Sequence, residues 1–237
     1  MEIIPGVHNG GDSITNWYAV EDGGRVTLVD AGLPRHWDQV AAVLAAMGRG
    51  PSDVEAVVLT HAHVDHIGFA ERARTELGAT IRAHATDALV AEGKAEGERV
   101  TVGKLPLWKP AVWKFLVVMM RGGALKEMTV GEVVGADDGE ILDVPGRPRL
   151  VHTPGHTPGS AAYHFPDHGI LFSGDTLVTL AMTGGPVGPQ IMPDDFHADP
   201  VAVRDSALAL ASIDASLVLP GHGPAFRGTP ADAVAAL

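Results

Sequence analysis

An α/β fold, with sheet layers covered by helices, is what this sequence predicts, and three observations predict it. Short apolar runs of strand type alternate with stretches of helical spacing, and no internal repeat is detectable. Glycine (29) and proline (17) are plentiful, as many short strands joined by tight turns require. The apolar run over residues 54–60 ends directly at a histidine-rich segment, and α/β proteins place chemistry at the carboxyl ends of their strands. With 237 residues, 46% of them hydrophobic and 19% charged, the chain can bury a full core, and a single domain over 1–237 is expected.

The elements follow in order. Strands are expected over 3–7, 14–20 and 25–30, with Asp22-Gly23-Gly24 as a hairpin-type turn. Trp37, Val40, Val43, Leu44 and Met47 recur at three- and four-residue intervals and predict a helix over 36–47. The strand over 54–60 is followed by a helix over 68–77, a short strand over 80–83 and a helix over 86–92. Residues 93–123 break this rhythm and read as an insertion with one helix starting near Pro110, since proline suits a first helical turn. Strands return over 128–130, 149–152, 161–165 and 170–173, and a helix over 200–213 and a strand over 216–219 complete the pattern.

The net charge of −12 gives no basic stripe of the kind a nucleic acid partner calls for. Two bound divalent cations would reverse that sign locally. There are no cysteines, so disulfides, thiolate metal ligands and cysteine nucleophiles are excluded. The first six residues lack the features of a signal peptide. The apolar stretch over 105–120 is interrupted by Lys109, Pro110 and Lys114 and is too short and too charged to span a bilayer. A soluble cytoplasmic protein with no membrane span is expected.

Ligand-type residues gather at the ends of expected strands. His61, His63, Asp65 and His66 fall within six positions; His156 lies in Thr153-Pro154-Gly155-His156-Thr157-Pro158-Gly159, Asp175 in Ser173-Gly174-Asp175-Thr176, and His222 in Pro220-Gly221-His222-Gly223. Imidazole nitrogen and carboxylate oxygen suit zinc, iron or manganese. Alternate residues of an extended segment point the same way, so His61 and His63 can grip one ion, while Asp65 and His66 can reach a second. Two such ions sharing a bridging water would lower its pKa towards neutrality, and the resulting hydroxide is a nucleophile that needs no serine or cysteine. Asp65 can orient that hydroxide as well as bind metal, which makes it the candidate catalytic residue. Asp30, before Gly32, either holds the outer nitrogen of a ligand histidine or forms a turn. His8, His84, His152, His164, His168 and His197 lack comparable context and read as surface or core histidines.

His61-Ala62-His63-Val64-Asp65-His66 resembles the HxHxDH signature of the metallo-β-lactamase superfamily, with His156, Asp175 and His222 in that family's order. The resemblance implies a four-layer αββα sandwich, here with a helical insertion around 93–123. It implies that His61, His63 and His156 bind one metal, that Asp65, His66 and His222 bind another, and that Asp175 bridges the two. The cofactors expected are two divalent ions, zinc first, with iron or manganese as alternatives.

Departures from the family's branches narrow the activity. True β-lactamases of this fold lack the bridging carboxylate, and several use a cysteine. Acyl homoserine lactonases place a tyrosine where Val178 stands. Glyoxalase II enzymes add a C-terminal glutathione-binding region for which about fifteen residues after His222 leave no room, and the family's nucleases carry extra domains or basic arms. The expectation is a binuclear metal-dependent hydrolase of a small carboxylic ester, thioester or lactone, with β-lactam hydrolysis at most a weak side activity. The rival is an oxidoreductase resembling the persulfide dioxygenases, with one iron. Trp108, Trp113, Phe115, Leu116, Met119 and Met120 of the insertion could form a lid over an apolar acyl group, or pack as core or as a homodimer contact.

Overall fold

The structure, a computed structural model, describes residues 1–97, 106–126 and 128–237. Two sheets carry the molecule. The first runs in sequence order: β1 (Glu2–Ile4), β2 (Val7–Gly11), β3 (Asn16–Asp22), β4 (Arg25–Val29), β5 (Val54–Val58), β6 (Thr80–His84) and β7 (Val134–Ala136). Pairing is antiparallel through β4, where tight turns suffice, and parallel from β4 to β7, where helices make the crossovers. The second sheet has the order β12 (Phe226–Arg227), β11 (Leu217–Pro220), β10 (Ile170–Gly174), β9 (Ala161–Phe165), β8 (Arg149–His152).

The central strands read as continuous apolar runs because both their faces are buried. Along β3, Trp17 and Ala19 face the helices while Tyr18 and Val20 face the other sheet. In β10, Leu171 points outward while Ile170 and Phe172 point between the sheets. Helices α1 (Trp37–Ala46), α2 (Ala70–Arg72, continuing as a π-helical turn over Ala73–Leu77) and α3 (Ala85–Ala91) cover the first sheet. The second is covered by the segment ending α5 (Pro200–Ala209) and by α6 (Pro230–Ala235). This is the expected αββα sandwich. The insertion's helix, α4 (Pro110–Gly122), starts at Pro110 and buries Val112 and Phe115 against Ile14, Val178, Met182, Met192 and Phe196. Among the described residues, no helix is long and apolar enough to cross a membrane.

Several expected elements are corrected. The strand over 3–7 is two strands, broken at Gly6, whose φ of 77° lets the chain reverse between Ile4 and Val7. Residues 128–130 are not a strand: Val130 is a buried core residue, but its N–H donates to the carbonyl of Ala91 at the end of α3. The strand at that edge is β7, which pairs with β6. The helix expected from residue 68 begins at Ala70, because Phe69, at φ −110° and ψ 11°, lies outside the helical region. The segments β12 and α6 lie beyond the last expected strand. Part of the expected insertion, residues 98–105, lies outside the described residues.

Candidate metal centre

Four strand ends converge on one edge of the sandwich. The loop after β5 delivers His61, His63, Asp65 and His66, and it turns back on itself as the Ile67 and His66 N–H groups donate to the carbonyl of His63. His156 follows β8, Asp175 follows β10 directly, and His222 follows β11. Glycine makes the convergence sterically possible. A Cβ on Gly221 would lie 2.2 Å from Asp175 Oδ1 and 2.7 Å from His66 Cε1. One on Gly155, whose φ is 128°, would lie 2.1 Å from the Val203 nitrogen.

All the sequence-expected ligands meet here. Three groups present donor atoms mutually within 4.8 Å: His61, His63 and His156; His61, His66 and Asp175; and Asp65, His66 and His222. His63 Nδ1 lies 3.0 Å from His61 Nε2 and 2.9 Å from His156 Nε2. Asp175 sits between the two histidine sets, with Oδ2 3.4 Å from His156 Nε2 and 3.9 Å from His61 Nε2. On its other side, Oδ2 is 3.0 Å from His222 Nε2 and Oδ1 is 3.6 Å from His66 Nε2. Asp65 Oδ2 is 3.6 Å from His222 Nε2 and 3.9 Å from His66 Nε2. Tetrahedral nitrogen ligands about 2.0–2.1 Å from an ion lie about 3.4 Å apart, so these spacings are of the right size.

The outer nitrogens of four imidazoles are occupied, which turns their Nε2 lone pairs inward. His66 Nδ1 donates to Asp30 Oδ2 (2.8 Å), His222 Nδ1 donates to the carbonyl of Ile14 (2.7 Å), and His61 Nδ1 is 3.1 Å from Thr60 Oγ1. His156 Nδ1 lies 3.2 Å from His197 Nδ1, and His197 Nε2 in turn donates to the carbonyl of Met192. The inward atoms His66 Nε2, His222 Nε2 and Asp175 Oδ1 are buried with no hydrogen-bond partner among the described residues. Buried polar atoms without partners are costly, and a divalent cation satisfies this set. The donors fit a metal.

The electrostatics divide the cluster. Burial holds His61 and His156 well below the usual imidazole range, reinforced by neighbouring histidines, so both are neutral and available as ligands. Burial also lowers His63. At His66 burial opposes the charged form, yet the carboxylates of Asp175, Asp30 and Asp65 push it up to about 10. His222 is raised against the same burial by Asp175 and Asp65. Burial would raise Asp175, but His222 and His66 hold it well below the carboxylate range. The negative potential that favours a proton here equally favours a cation.

Supporting residues complete the centre, and most were not legible in the sequence. Asp30, one of the two outcomes weighed for it, does hold the outer nitrogen of His66. It also accepts from the N–H (2.7 Å) and hydroxyl (2.9 Å) of Thr60. Buried Asp87 accepts from the Ala62 N–H, the Thr157 hydroxyl and the Gly159 N–H, tying the first histidine loop to that of His156. Thr15 donates to Asp65 (3.2 Å). His197, read as a bland histidine, instead backs His156. The only hint of Asp87 was an acidic residue in a first helical turn, which ordinary helix capping already explains.

The model of the metallo-beta-lactamase superfamily matches residues 10–222. The Beta-lactamase-like protein 2 homolog of Caenorhabditis elegans is 25% identical over 211 residues, 89% of this chain and 56% of that protein. A hydroxyacylglutathione hydrolase of Cereibacter sphaeroides is 26% identical over 189 residues, 78% of this chain and 54% of that protein. The chain thus spans little more than half the length of either relative. A metallo-beta-lactamase family protein of Thermus thermophilus is similar in fold, with a TM-score of 0.65 at 23% identity over 99% of this chain and 80% of that one.

Proposed function

The chain belongs to the metallo-beta-lactamase superfamily, and from that premise we propose that it is a binuclear metal-dependent hydrolase of a small carboxylic ester, thioester or lactone. The observation that carries this reading is the position of Asp175 between two histidine sets, within 3.9 Å of His61 and His156 on one side and of His66 and His222 on the other. In this reading His61, His63 and His156 would hold one ion, Asp65, His66 and His222 would hold the other, and Asp175, lying between the two sets, would be within reach of both. Zinc suits the all-nitrogen and oxygen donor set. When bound, such ions supply Lewis acidity and bring the pKa of a water they hold to about 7.

The chain's own residues do the rest. Thr15 fixes the Asp65 carboxylate, and that carboxylate orients the attacking water. Asp30 keeps His66, directly, and His61, through Thr60, in the orientation that turns Nε2 inward. The burial of the cluster excludes bulk water and strengthens each of these interactions. The thioester option draws support from the hydroxyacylglutathione hydrolase among the relatives.

Metal analysis, together with hydrolysis assays on a thioester, lactone and β-lactam panel, tests the proposal. We expect two ions per chain, acyl hydrolysis well above β-lactam hydrolysis, and a loss of kcat/KM of about 10³-fold or more in His61→Ala and Asp175→Ala. Full acyl hydrolysis in metal-stripped protein would sink it. So would one iron per chain with oxygen consumption on a glutathione persulfide.

A further inference from the structure

All five lysines of this chain, Lys94, Lys104, Lys109, Lys114 and Lys126, fall within 94–126, and residues 106–126 hold no acidic residue although the chain's net charge is −12. The same segment exposes Leu107, Trp108, Val117, Met120 and Leu125, and also Trp113; Trp108 is 83% exposed and Trp113 55%. On α4 the two faces separate cleanly. Val112 and Phe115 point into the protein, while Trp113, Val117 and Met120 recur at four- and three-residue intervals along the outer face. Lys114 and Arg121 lie beside that apolar stripe and are exposed as well. Trp113 is not loosely hung, since its indole N–H donates to the carbonyl of Leu107 (2.7 Å).

We propose that α4 and the turn before it form a docking face for an anionic lipid surface. Exposed tryptophan with aliphatic side chains and flanking lysines is what an interfacial helix uses, with rings and chains at the acyl boundary and cations among the headgroups. Charge complementarity selects the occupant. A bilayer bearing anionic lipids repels a chain of this net charge as a whole, and is met most favourably over 106–126, which carries Lys109, Lys114, Arg121 and Lys126 and no acidic residue. The buried side of α4 packs on Ile14, whose carbonyl holds His222, and on Val178, three residues past Asp175. Docking therefore brings the lipid surface to the far side of α4, one helix diameter (~10 Å) from the loops that carry the candidate metal centre. The proposal does not rest on the hydrolase reading, because vesicle binding is read without turnover.

Flotation of the metal-loaded protein with vesicles of phosphatidylcholine containing about one-third phosphatidylglycerol, against phosphatidylcholine alone, tests this. Binding is expected to the anionic vesicles only, to weaken with salt, and to be accompanied by a blue-shifted tryptophan emission quenched by brominated lipid. Lys114→Gln with Lys126→Gln should weaken partitioning by about tenfold or more, and Trp108→Ser should remove much of the spectral shift. Each variant should retain wild-type hydrolysis of a water-soluble thioester. No association with anionic vesicles, or equal association in the lysine variant, overturns the proposal. So does a concentration-dependent dimer that shields Trp108 from an aqueous quencher, which would assign this face to a second copy of the chain.

Discussion

Asp30 shows how much one carboxylate does at this centre. It is one of two non-glycine residues with positive φ (60°) among the described residues, a conformation that aspartate and asparagine tolerate best. It is buried, and its two oxygens reach His66 and Thr60, the latter adjoining His61, so it orients one histidine of each set. Asp30→Asn keeps the size and backbone tolerance but removes the charge. It is expected to lower metal affinity or kcat/KM by about 10–100-fold, read by zinc titration and steady-state kinetics. Unchanged affinity and rate would reduce Asp30 to a turn former. The candidate ligands were legible because imidazoles and carboxylates crowded within six positions have few other common explanations. Asp87 and His197 were not, because a lone acid or histidine acquires its meaning from partners far along the chain: Gly159 for Asp87, 72 residues away, and His156 for His197, 41 residues away.

The β6–α3 junction makes the corresponding case for an element. His84 ends β6 and caps α3, its Nδ1 accepting from the Thr86 N–H (3.3 Å), while its ring stacks on His152 with centroids 4.0 Å apart. Burial first, and the neighbouring His152 second, lower its pKa below the ordinary 6.5. A depressed histidine is neutral in both folded and unfolded chains above 6.5. As pH falls from 6.5 through the lower folded pKa, the unfolded chain takes up the proton first and stability is lost. His84→Asn retains a capping side chain but does not titrate. The metal-loaded variant should therefore lose less Tm than the wild type between about pH 7.5 and 5.5; parallel pH profiles would refute this role for His84. Elements with strong apolar stripes or proline starts were legible, as α1 and α4 were. The two-residue strand β12 and the alanine-rich α6 carry too little pattern of their own and exist because the second sheet offers an edge and a face to cover.

At the scale of the molecule, the candidate centre is a suture between sheets. His61, His63, Asp65 and His66 follow a strand of the first sheet, and His156, Asp175 and His222 follow strands of the second. Ions held by both sets would stabilise the folded chain alone, by about 2.7 kcal/mol for one site at a free concentration a hundredfold above Kd. For a chain of this size, chelation should lower Tm by about 5–10 °C, measured by calorimetry at pH 7 before and after metal removal. An unchanged Tm would mean that the sandwich holds its edge together without ions.

The sequence by itself determined the layered α/β plan and singled out the candidate ligand residues, because periodicity reports burial and because metal ligation demands particular atoms at short spacing. It also carried the lysine concentration in 94–126, but not its orientation. Only the tertiary structure decided that Asp175 stands between the two histidine sets, that Asp30, Asp87 and His197 brace them, and that the aromatic face of α4 turns outward. The physical reason is range. Helix and strand patterns are set by neighbours a few residues apart, whereas those placements join positions such as Asp30 and His66, 36 residues apart, and Asp175 and His61, 114 apart, and only the packed sheets bring them within 4 Å.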